Sequence, residues 1–268
     1  MKGKPFWIGI AGLFSATAIA GSMGGENAVY NDPGAATCGK VITLSLGPAW
    51  YNNRGEGQRN FFPSIILPPG YTHTYVPTQT SGVLGSGELF FALTSTLNYL
   101  FSGQLGLAVG YSGNGTQDGR LYTERDSGRY TYSYKLSNAR IGAKGKIVTE
   151  WSHWVKPYIS GSAGVGFNRA WDYTTTHSIF GISSRPSFDE STEVAFTYTA
   201  GIGLQGNIAP NWQIGVGYEF SDWGKNSLTT PSLNLPDVPT PTVPYVYRAL
   251  HASTFYTHQL QISLSYLM

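Results

Sequence analysis

Few residues of this sequence have the types and spacing that catalysis or metal binding requires. The histidines are dispersed, without the ligand spacing of a metal site, at His73, His153, His177, His251 and His258. Asp189 and Glu190 could join His177 in an acid–histidine group, but a solvated loop is the simpler interpretation. His251 and Ser253 could pair a base with a nucleophile, yet no Asp or Glu follows Ser253 to orient the histidine. We therefore expect no catalytic residue, no cofactor and no metal.

Four charged residues form the more informative group, namely Glu88, Arg140, Lys144 and Glu219. Each stands among small or apolar residues in a chain with only 12% charged residues. A soluble globular chain averages about 25%. Two acids and two bases can pair if the fold brings them together, so the elements that carry them decide their role.

Residues 194–222 show which elements these are, because every second residue is apolar. The first arm carries on one face Val194, Phe196, Tyr198, Ala200, Ile202 and Leu204. After a turn at residues 208–211, the second arm carries Trp212, Ile214, Val216, Tyr218 and Phe220. The opposite face is mostly Gly, Thr, Gln and Ser. This pattern is typical of two antiparallel strands whose apolar face meets lipid and whose small polar face lines a narrow lumen.

A glycine motif lies inside this hairpin. Gly201, Gly203 and Gly206 match the G-x-G-x-x-G fingerprint of dinucleotide-binding proteins, which requires a helix after the motif. Here the alternation continues through the motif, so we interpret these residues as glycines of a narrow lumen.

The same period recurs along the chain and predicts eight strands. Besides the two arms of the hairpin, we predict strands at residues 40–50, 82–94, 103–112, 133–148, 155–168 and 253–268. Long connections alternate with short ones, and the long ones are residues 51–81, 113–132, 169–192 and 223–252. This alternation is typical of outer-membrane barrels, with long loops outside the cell and short turns in the periplasm. The predicted fold is all-β, an eight-stranded antiparallel up-and-down transmembrane β-barrel over residues 40–268.

The N-terminal residues have the layout of a secretory signal peptide. Lys2 and Lys4 precede an apolar run, and Ala18-Ile19-Ala20 offers a cleavage site. We expect a signal peptide at 1–20 and a periplasmic lead-in at 21–39. Without Lys2 and Lys4, the 17 basic residues fall to 15 and match the 15 acidic residues, so no nucleic-acid partner is expected. Cys38 is the single cysteine, which excludes an intramolecular disulfide.

The parity of each strand then assigns faces to the four charges and to the aromatic residues. Glu88, Arg140, Lys144 and Glu219 all take inward parity, so we predict a salt-bridged plug; a gated polar pathway is the alternative. Aromatic residues collect at the strand ends as two girdles, with Trp50, Tyr111, Trp171 and Trp223 at the outer ends and Trp151, Trp154, Trp212 and Tyr266 at the inner ends.

One long connection is unusually apolar. Its apolar residues are Phe61, Phe62, Ile65, Ile66 and Leu67. Such a patch can mark an interaction site, with lipopolysaccharide or a host partner, or it can fold back onto its own loops.

These features resemble the small outer-membrane β-barrel proteins, such as the OmpA transmembrane domain, OmpW and the opacity-type adhesins. The segments that carry the resemblance are residues 215–224 (GVGYEFSDWG) and 260–268. The resemblance implies an outer-membrane location, contact with outer-membrane lipid and lipopolysaccharide, and assembly by the barrel assembly machinery. Such barrels usually end on an aromatic residue, whereas this sequence ends Tyr266-Leu267-Met268, which leaves Tyr266 for that role.

Two functions remain open from the sequence. The first is a non-enzymatic surface protein, envelope-structural or adhesin-like through its long loops. The alternative is a narrow channel or carrier for small, including hydrophobic, molecules. Residues 251–253 share the His-x-Ser pair of outer-membrane lipid A deacylases, but the missing acid and the inward parity of both residues disfavour an enzyme.

Overall fold

The computed structural model describes residues 39–55, 57–62, 71–78, 80–123, 130–152, 154–176, 188–229 and 249–268. Within strands, only the backbone is described at 52–55, 62, 71, 80, 123 and 252–254. The predicted signal peptide and residues 21–38 of the lead-in lie outside the described residues; Gly39 already belongs to the first strand. None of the described residues forms a helix long and apolar enough to cross a membrane.

The described residues are organised as β-strands joined by turns. They are β1 Gly39–Gly55, β2 Gln58–Phe62, β3 Tyr71–Pro77, β4 Thr80–Thr96, β5 Phe101–Thr123, β6 Tyr130–Thr149, β7 Lys156–Thr175, β8 Ser191–Ala209, β9 Trp212–Asp222, β10 Asn226–Ser227 and β11 His251–Leu267.

Eight of these strands form a closed ring in which every neighbour is antiparallel. The order is β1-β4-β5-β6-β7-β8-β9-β11, and β11 pairs with β1 to close it. The β2–β3 hairpin adds to the upper part of β5, and β10 pairs with the start of β11. The predicted eight-stranded antiparallel barrel is confirmed. We call the end with the short turns between β4 and β5, β6 and β7, and β8 and β9 the turn end, and the opposite end the loop end.

The two faces of the barrel wall have the polarity that the alternation predicts. On β9, Ile214, Val216 and Tyr218 are exposed, whereas Gln213 and Glu219 are buried. The same holds on β11, where Leu260, Ile262 and Leu264 are exposed and Gln261 is buried. A barrel with exposed aliphatic residues and a buried polar interior is suited to lipid, because polar interior groups then satisfy one another away from acyl chains.

The long strands reach well beyond this lipid-facing band. The predicted loops 51–81 and 113–132 are wrong in part: β1 continues to Gly55, β2 and β3 form a hairpin, and β5 and β6 pair as far as Leu121 and Tyr130. A membrane-crossing strand needs only about 9–11 residues. Beyond that length the outward face meets water, so polar residues turn outward and apolar residues turn inward. Continued pairing keeps the backbone amides hydrogen-bonded in this extension.

Candidate functional site

At the middle of the lumen, the structure brings the four predicted charged residues together as an ion quartet. The Nη2 of Arg140 on β6 lies 2.6 Å from Glu88 Oε2 and 2.6 Å from Glu219 Oε1. Lys144 lies four residues beyond Arg140 on β6, toward the turn end, and donates from Nζ to Glu88 and to Glu219 Oε2, the latter at 2.7 Å. Each acid therefore contacts both bases of β6. Glu88 reaches them from β4 on one side of that strand, and Glu219 reaches them from β9 on the other side.

Burial explains why these residues occur as a balanced set. All four side chains are at most 6% exposed. An unpaired charge there would be costly, whereas two acids and two bases with charge-assisted hydrogen bonds compensate one another. Arg140 also donates from Nη1 to Ser221 Oγ at 2.9 Å. The carboxylates are therefore occupied by structural ion pairs, and the geometry does not favour acid–base catalysis at Glu88 or Glu219.

Between the ion quartet and the turn end, the lumen contains amides, hydroxyls, the two lysines Lys146 and Lys156, and a small apolar cluster of Val41, Phe90, Ala92 and Ala108. Lys146 Nζ donates to Gln205 Oε1, and Gln205 Nε2 donates to Gln213 Oε1 at 3.1 Å. Thr43 and Ser265 share a hydroxyl–hydroxyl bond of 2.8 Å between β1 and β11. Glycines make room here. A Cβ on Gly217 would lie 2.2 Å from the hydroxyl of Tyr158, which crosses the lumen from β7. A Cβ on Gly203, one of the predicted lumen glycines, would lie 2.5 Å from the same hydroxyl, whereas a Cβ on Gly206 would lie 2.3 Å from Trp154 O.

Above the ion quartet, the interior holds a large apolar cluster beside buried amides such as Gln117 and Asn138. We call this cluster the upper core. Its buried members are Ala49, Tyr51, Tyr75, Leu84, Leu121, Tyr132, Tyr134, Leu136, Ala170, Phe188, Trp223, Leu228, Leu250 and Phe255. Aromatic rings pack edge to face within it, with 5.6 Å between the centroids of Tyr75 and Tyr132 and 4.9 Å between those of Tyr173 and Phe188. Burial raises the pKa of the Tyr132 and Tyr134 hydroxyls, so both stay neutral.

The upper core was not predicted, although the sequence contains a signal for part of it. Tyr132, Tyr134 and Leu136 share the inward parity of Arg140 on the same strand, so the alternation predicts their direction. The predicted loop 113–132 included Tyr132, which the structure places within β6. The upper core also depends on Phe188 and Leu250, which lie outside the barrel strands and which local periodicity does not place.

Trp223 is a correction, because the structure does not place it in the outer girdle. Its side chain is 1% exposed, and its Nε1 donates to Thr257 Oγ1 at 3.1 Å inside the barrel. Trp223 continues the inward parity of Glu219 and Ser221. The chain then turns over the barrel mouth at Gly224, whose φ of 77° favours glycine.

The residues that follow form a segment across the loop end of the lumen. We call residues 223–229 the entry segment. Its backbone is held by Trp223 N–H to Phe255 O at 2.8 Å and by Leu228 N–H to Leu250 O at 2.8 Å. Asn168 Nδ2 donates to Trp223 O at 2.6 Å from β7. With Trp223 and Leu228 both buried, the entry segment fills the lumen above the ion quartet.

The other predicted girdle residues lie on the outside of the wall or in the turns. Those that are exposed are Trp50, Tyr111, Trp151, Trp154, Trp212 and Tyr266. Trp171 is half-buried, with the Arg169 guanidinium 5.4 Å from its ring. Trp212 and Tyr266 pack together near the turn end with centroids 4.9 Å apart. Their position at a lipid–water interface stays a prediction.

Of the predicted apolar loop patch, only Phe61 has a described side chain. It is exposed on β2. The side chain of Phe62 and residues Ile65, Ile66 and Leu67 lie outside the described residues. His251 is exposed at the start of β11 with its Nδ1 3.1 Å from Ala249 O, and the side chain of Ser253 is not described. His177 also lies outside the described residues. The described chain contains no group of three or more His, Cys, Asp or Glu residues able to hold a metal.

The outer surface of the strand extension carries a polar groove of about 590 Å³. It lies where β5 leaves β4 and pairs with β3, and β6 and β7 form its other side. Hydroxyl-bearing residues dominate its lining, which includes Thr131, Ser133, Thr174 and Thr176 together with Asp118, Arg120 and the edge of Tyr132. The volume falls within the range of small-molecule sites, roughly 300–1,000 Å³.

A closed ring with exposed aliphatic residues and a buried polar interior defines a transmembrane β-barrel. A family model described as the outer membrane protein beta-barrel domain matches residues 42–266. The chain belongs to this family, and the family locates it in the outer membrane. No curated protein matches the sequence.

Solved structures with a similar fold include three small barrels. Neisserial surface protein A aligns over 85% of this chain and 96% of its own, with 14% identity and a TM-score of 0.41. Ail, the attachment invasion locus protein of Yersinia pestis, aligns over 85% and 98%, with 14% identity and a TM-score of 0.34. OprG of Pseudomonas aeruginosa aligns over 85% and 96%, with 11% identity and a TM-score of 0.44. At these values, none of the three informs on a ligand or an activity.

Proposed function

We propose that this chain is a non-enzymatic surface protein of the outer membrane, which acts through its extracellular surface as an adhesin or as a structural part of the envelope. The observation that carries the proposal is the double closure of the lumen. The ion quartet spans its middle, and the upper core with the entry segment fills the part above. Since transport of solutes needs a continuous path, such an interior favours a function at the surface.

The surface itself supports this assignment. Strands β5 and β6 continue far beyond the lipid-facing band and carry the β2–β3 hairpin, so a paired sheet projects from the loop end. By the general orientation of outer-membrane barrels, this end is extracellular. The polar groove lies on its outer wall, and no ion pair links Arg120 of the groove to an acid among the described residues. The groove is therefore the first surface to test for binding.

We also propose how the protein reaches the outer membrane and what it contacts there. The signal peptide at 1–20 directs export and is then cleaved, and insertion uses the barrel assembly machinery. In the membrane, the lipid-facing wall contacts outer-membrane lipid, and the outer girdle lies beside lipopolysaccharide. A host or cell-surface molecule is the partner expected at the extension. No nucleic acid is expected, since acidic and basic residues balance in the mature chain.

Single-channel recording separates the proposed function from the narrow channel or carrier. Refolded protein in planar bilayers is expected to give no large, stable current. A double variant, Trp223→Ala with Leu228→Ala, removes two buried side chains of the entry segment but leaves the ion quartet in place, so it is also expected to give no stable current. Stable unitary currents from the unaltered protein would contradict the closed lumen and favour the channel.

Binding of surface-displayed protein tests the extracellular function directly. Cells that display the unaltered barrel are compared with cells that display Arg120→Ala or Thr174→Val, both in the groove, for adherence to epithelial cells and matrix proteins. The matched control is Lys225→Ala, an exposed residue outside the groove. Equal adherence of all forms and of cells without the barrel would exclude an adhesin function and leave the structural one.

A further inference from the structure

Lys146 is a buried lysine that has no acidic partner among the described residues. Its side chain is 6% exposed, its Nζ donates to Gln205 Oε1, and the ammonium lies 4.1 Å from the centroid of the Tyr158 ring. No carboxylate of the described residues lies within ion-pair distance of it. Glu88 and Glu219 are each already engaged by both bases of the ion quartet. Together with Lys146, the ion quartet makes a buried group of three bases (Arg140, Lys144 and Lys146) and two acids (Glu88 and Glu219).

A small, partly open cavity is lined in part by this lysine. It has a volume of about 10 Å³, room for one water-sized species. Ammonium and hydroxyl groups from several strands line it, notably Lys144, Lys146, Ser45, Ser160 and Ser263. The hydroxyl of Ser160 is buried without a hydrogen-bond partner. Glu88 also lines the cavity, but its oxygens accept from Arg140 and Lys144.

We propose that this cavity binds one small monovalent anion of halide size, held by the ammonium of Lys146 and the hydroxyl of Ser160. A buried ammonium without a counter-charge is expensive, and an amide oxygen with an aromatic face compensates it only in part. A halide accepts hydrogen bonds from N–H and O–H groups, whereas the cavity is too small for phosphate or a carboxylic acid. The bound ion would neutralise the buried group formed by Lys146 and the ion quartet and complete its polar packing.

Crystals of the full-length folded protein soaked in sodium bromide provide the direct test. The expected result is an anomalous difference peak within hydrogen-bonding distance of Lys146 Nζ and Ser160 Oγ. Lys146→Met, which keeps the length of the side chain and removes its charge, should abolish the peak. Lys156→Met is the matched control, because Lys156 pairs with Glu150 Oε2 at 2.5 Å near the turn end. A water at the site in the unaltered protein, or a bromide that persists in Lys146→Met, would overturn the proposal.

Thermal unfolding in detergent gives an independent readout. When chloride replaces gluconate at constant ionic strength, Tm is expected to rise by roughly 3–5 °C in the unaltered protein and in Lys156→Met. The rise should disappear in Lys146→Met. If that variant does not fold, Ser160→Ala keeps the charge and removes one donor, and its half-maximal chloride concentration should increase several-fold. A rise of Tm that is the same in all variants would show a general salt effect and no site.

Discussion

The guanidinium of Arg140 lies 4.9 Å from the centre of the Trp223 ring, and this contact joins the two parts of the closed lumen. Below it the four charges of the ion quartet compensate one another, and above it the upper core excludes water. A cation over an aromatic face is stabilised most where solvent is absent. The pair therefore connects the ion quartet to the largest apolar cluster of the described interior.

Removal of one acid of the ion quartet should show how much the buried bases destabilise the barrel when they lack a carboxylate partner. Glu219→Gln keeps the shape of the side chain and leaves Arg140 and Lys144 with one carboxylate, so we expect a loss of about 3–5 kcal/mol in the free energy of unfolding. Urea unfolding in detergent or liposomes measures it. The double variant Glu219→Gln with Lys144→Met restores neutrality and should recover part of the loss. Glu190→Gln, which breaks an exposed pair with Arg169, should change little. Equal effects of Glu219→Gln and Glu190→Gln would contradict this account.

The inward position of Trp223 can be distinguished from a girdle position by its distance from lipid. In single-tryptophan variants, lipids brominated on their acyl chains should quench Trp212 strongly and Trp223 weakly, since Trp223 is 1% exposed inside the barrel. Trp223→Ala should cost about 3–5 kcal/mol, because a large side chain leaves the upper core. Strong quenching of Trp223 by these lipids would contradict its inward position and would support a position in the outer girdle.

A pH effect is expected at the strand extension. Burial lowers the pKa of His73 on β3 from 6.5 to about 4. Between these values the unfolded segment binds a proton that the folded one does not, so stability is fully present above pH 6.5 and falls as pH decreases toward 4. The full loss corresponds to roughly 3 kcal/mol of local stability. Hydrogen exchange of the β3 amides, corrected for the intrinsic rate, measures it. His73→Gln should remove the pH dependence; if it does not, another group is responsible.

The contact between Gly217 and Tyr158 predicts a substitution and its rescue. Gly217→Ala places a Cβ against the Tyr158 hydroxyl and should destabilise the barrel by about 1–3 kcal/mol. Tyr158→Leu shortens the side chain and should recover part of that loss in the double variant. Gly145→Ala is the control, because a Cβ there meets nothing within 4 Å. Thermal unfolding compares the unaltered protein with the two single variants, the double variant and the control. Absence of rescue would show that the backbone, not Tyr158, restricts position 217.

The period of two was enough to predict the barrel and the direction of most side chains within it. In a strand, successive side chains point to opposite faces, so parity alone sends Glu88 and Arg140 inward and Ile214 and Leu264 outward. The strand count and the alternation of long and short connections follow from the same local pattern. These features depend on neighbouring residues of one strand, and the sequence contains them without reference to the rest of the molecule.

The three-dimensional arrangement decided which inward residues meet and what closes the lumen. Glu88 and Glu219 are 131 positions apart along the chain, and only the closed ring brings both onto Lys144. The upper core combines inward residues of the strand extension with Phe188, Leu228 and Leu250 from connections that have no period. Where each strand leaves the lipid also depends on its position in the whole ring. Because the solvent outside changes there from acyl chains to water, the inward positions of Trp223 and Tyr132 carry aromatic side chains, although the parity of their strands is unchanged.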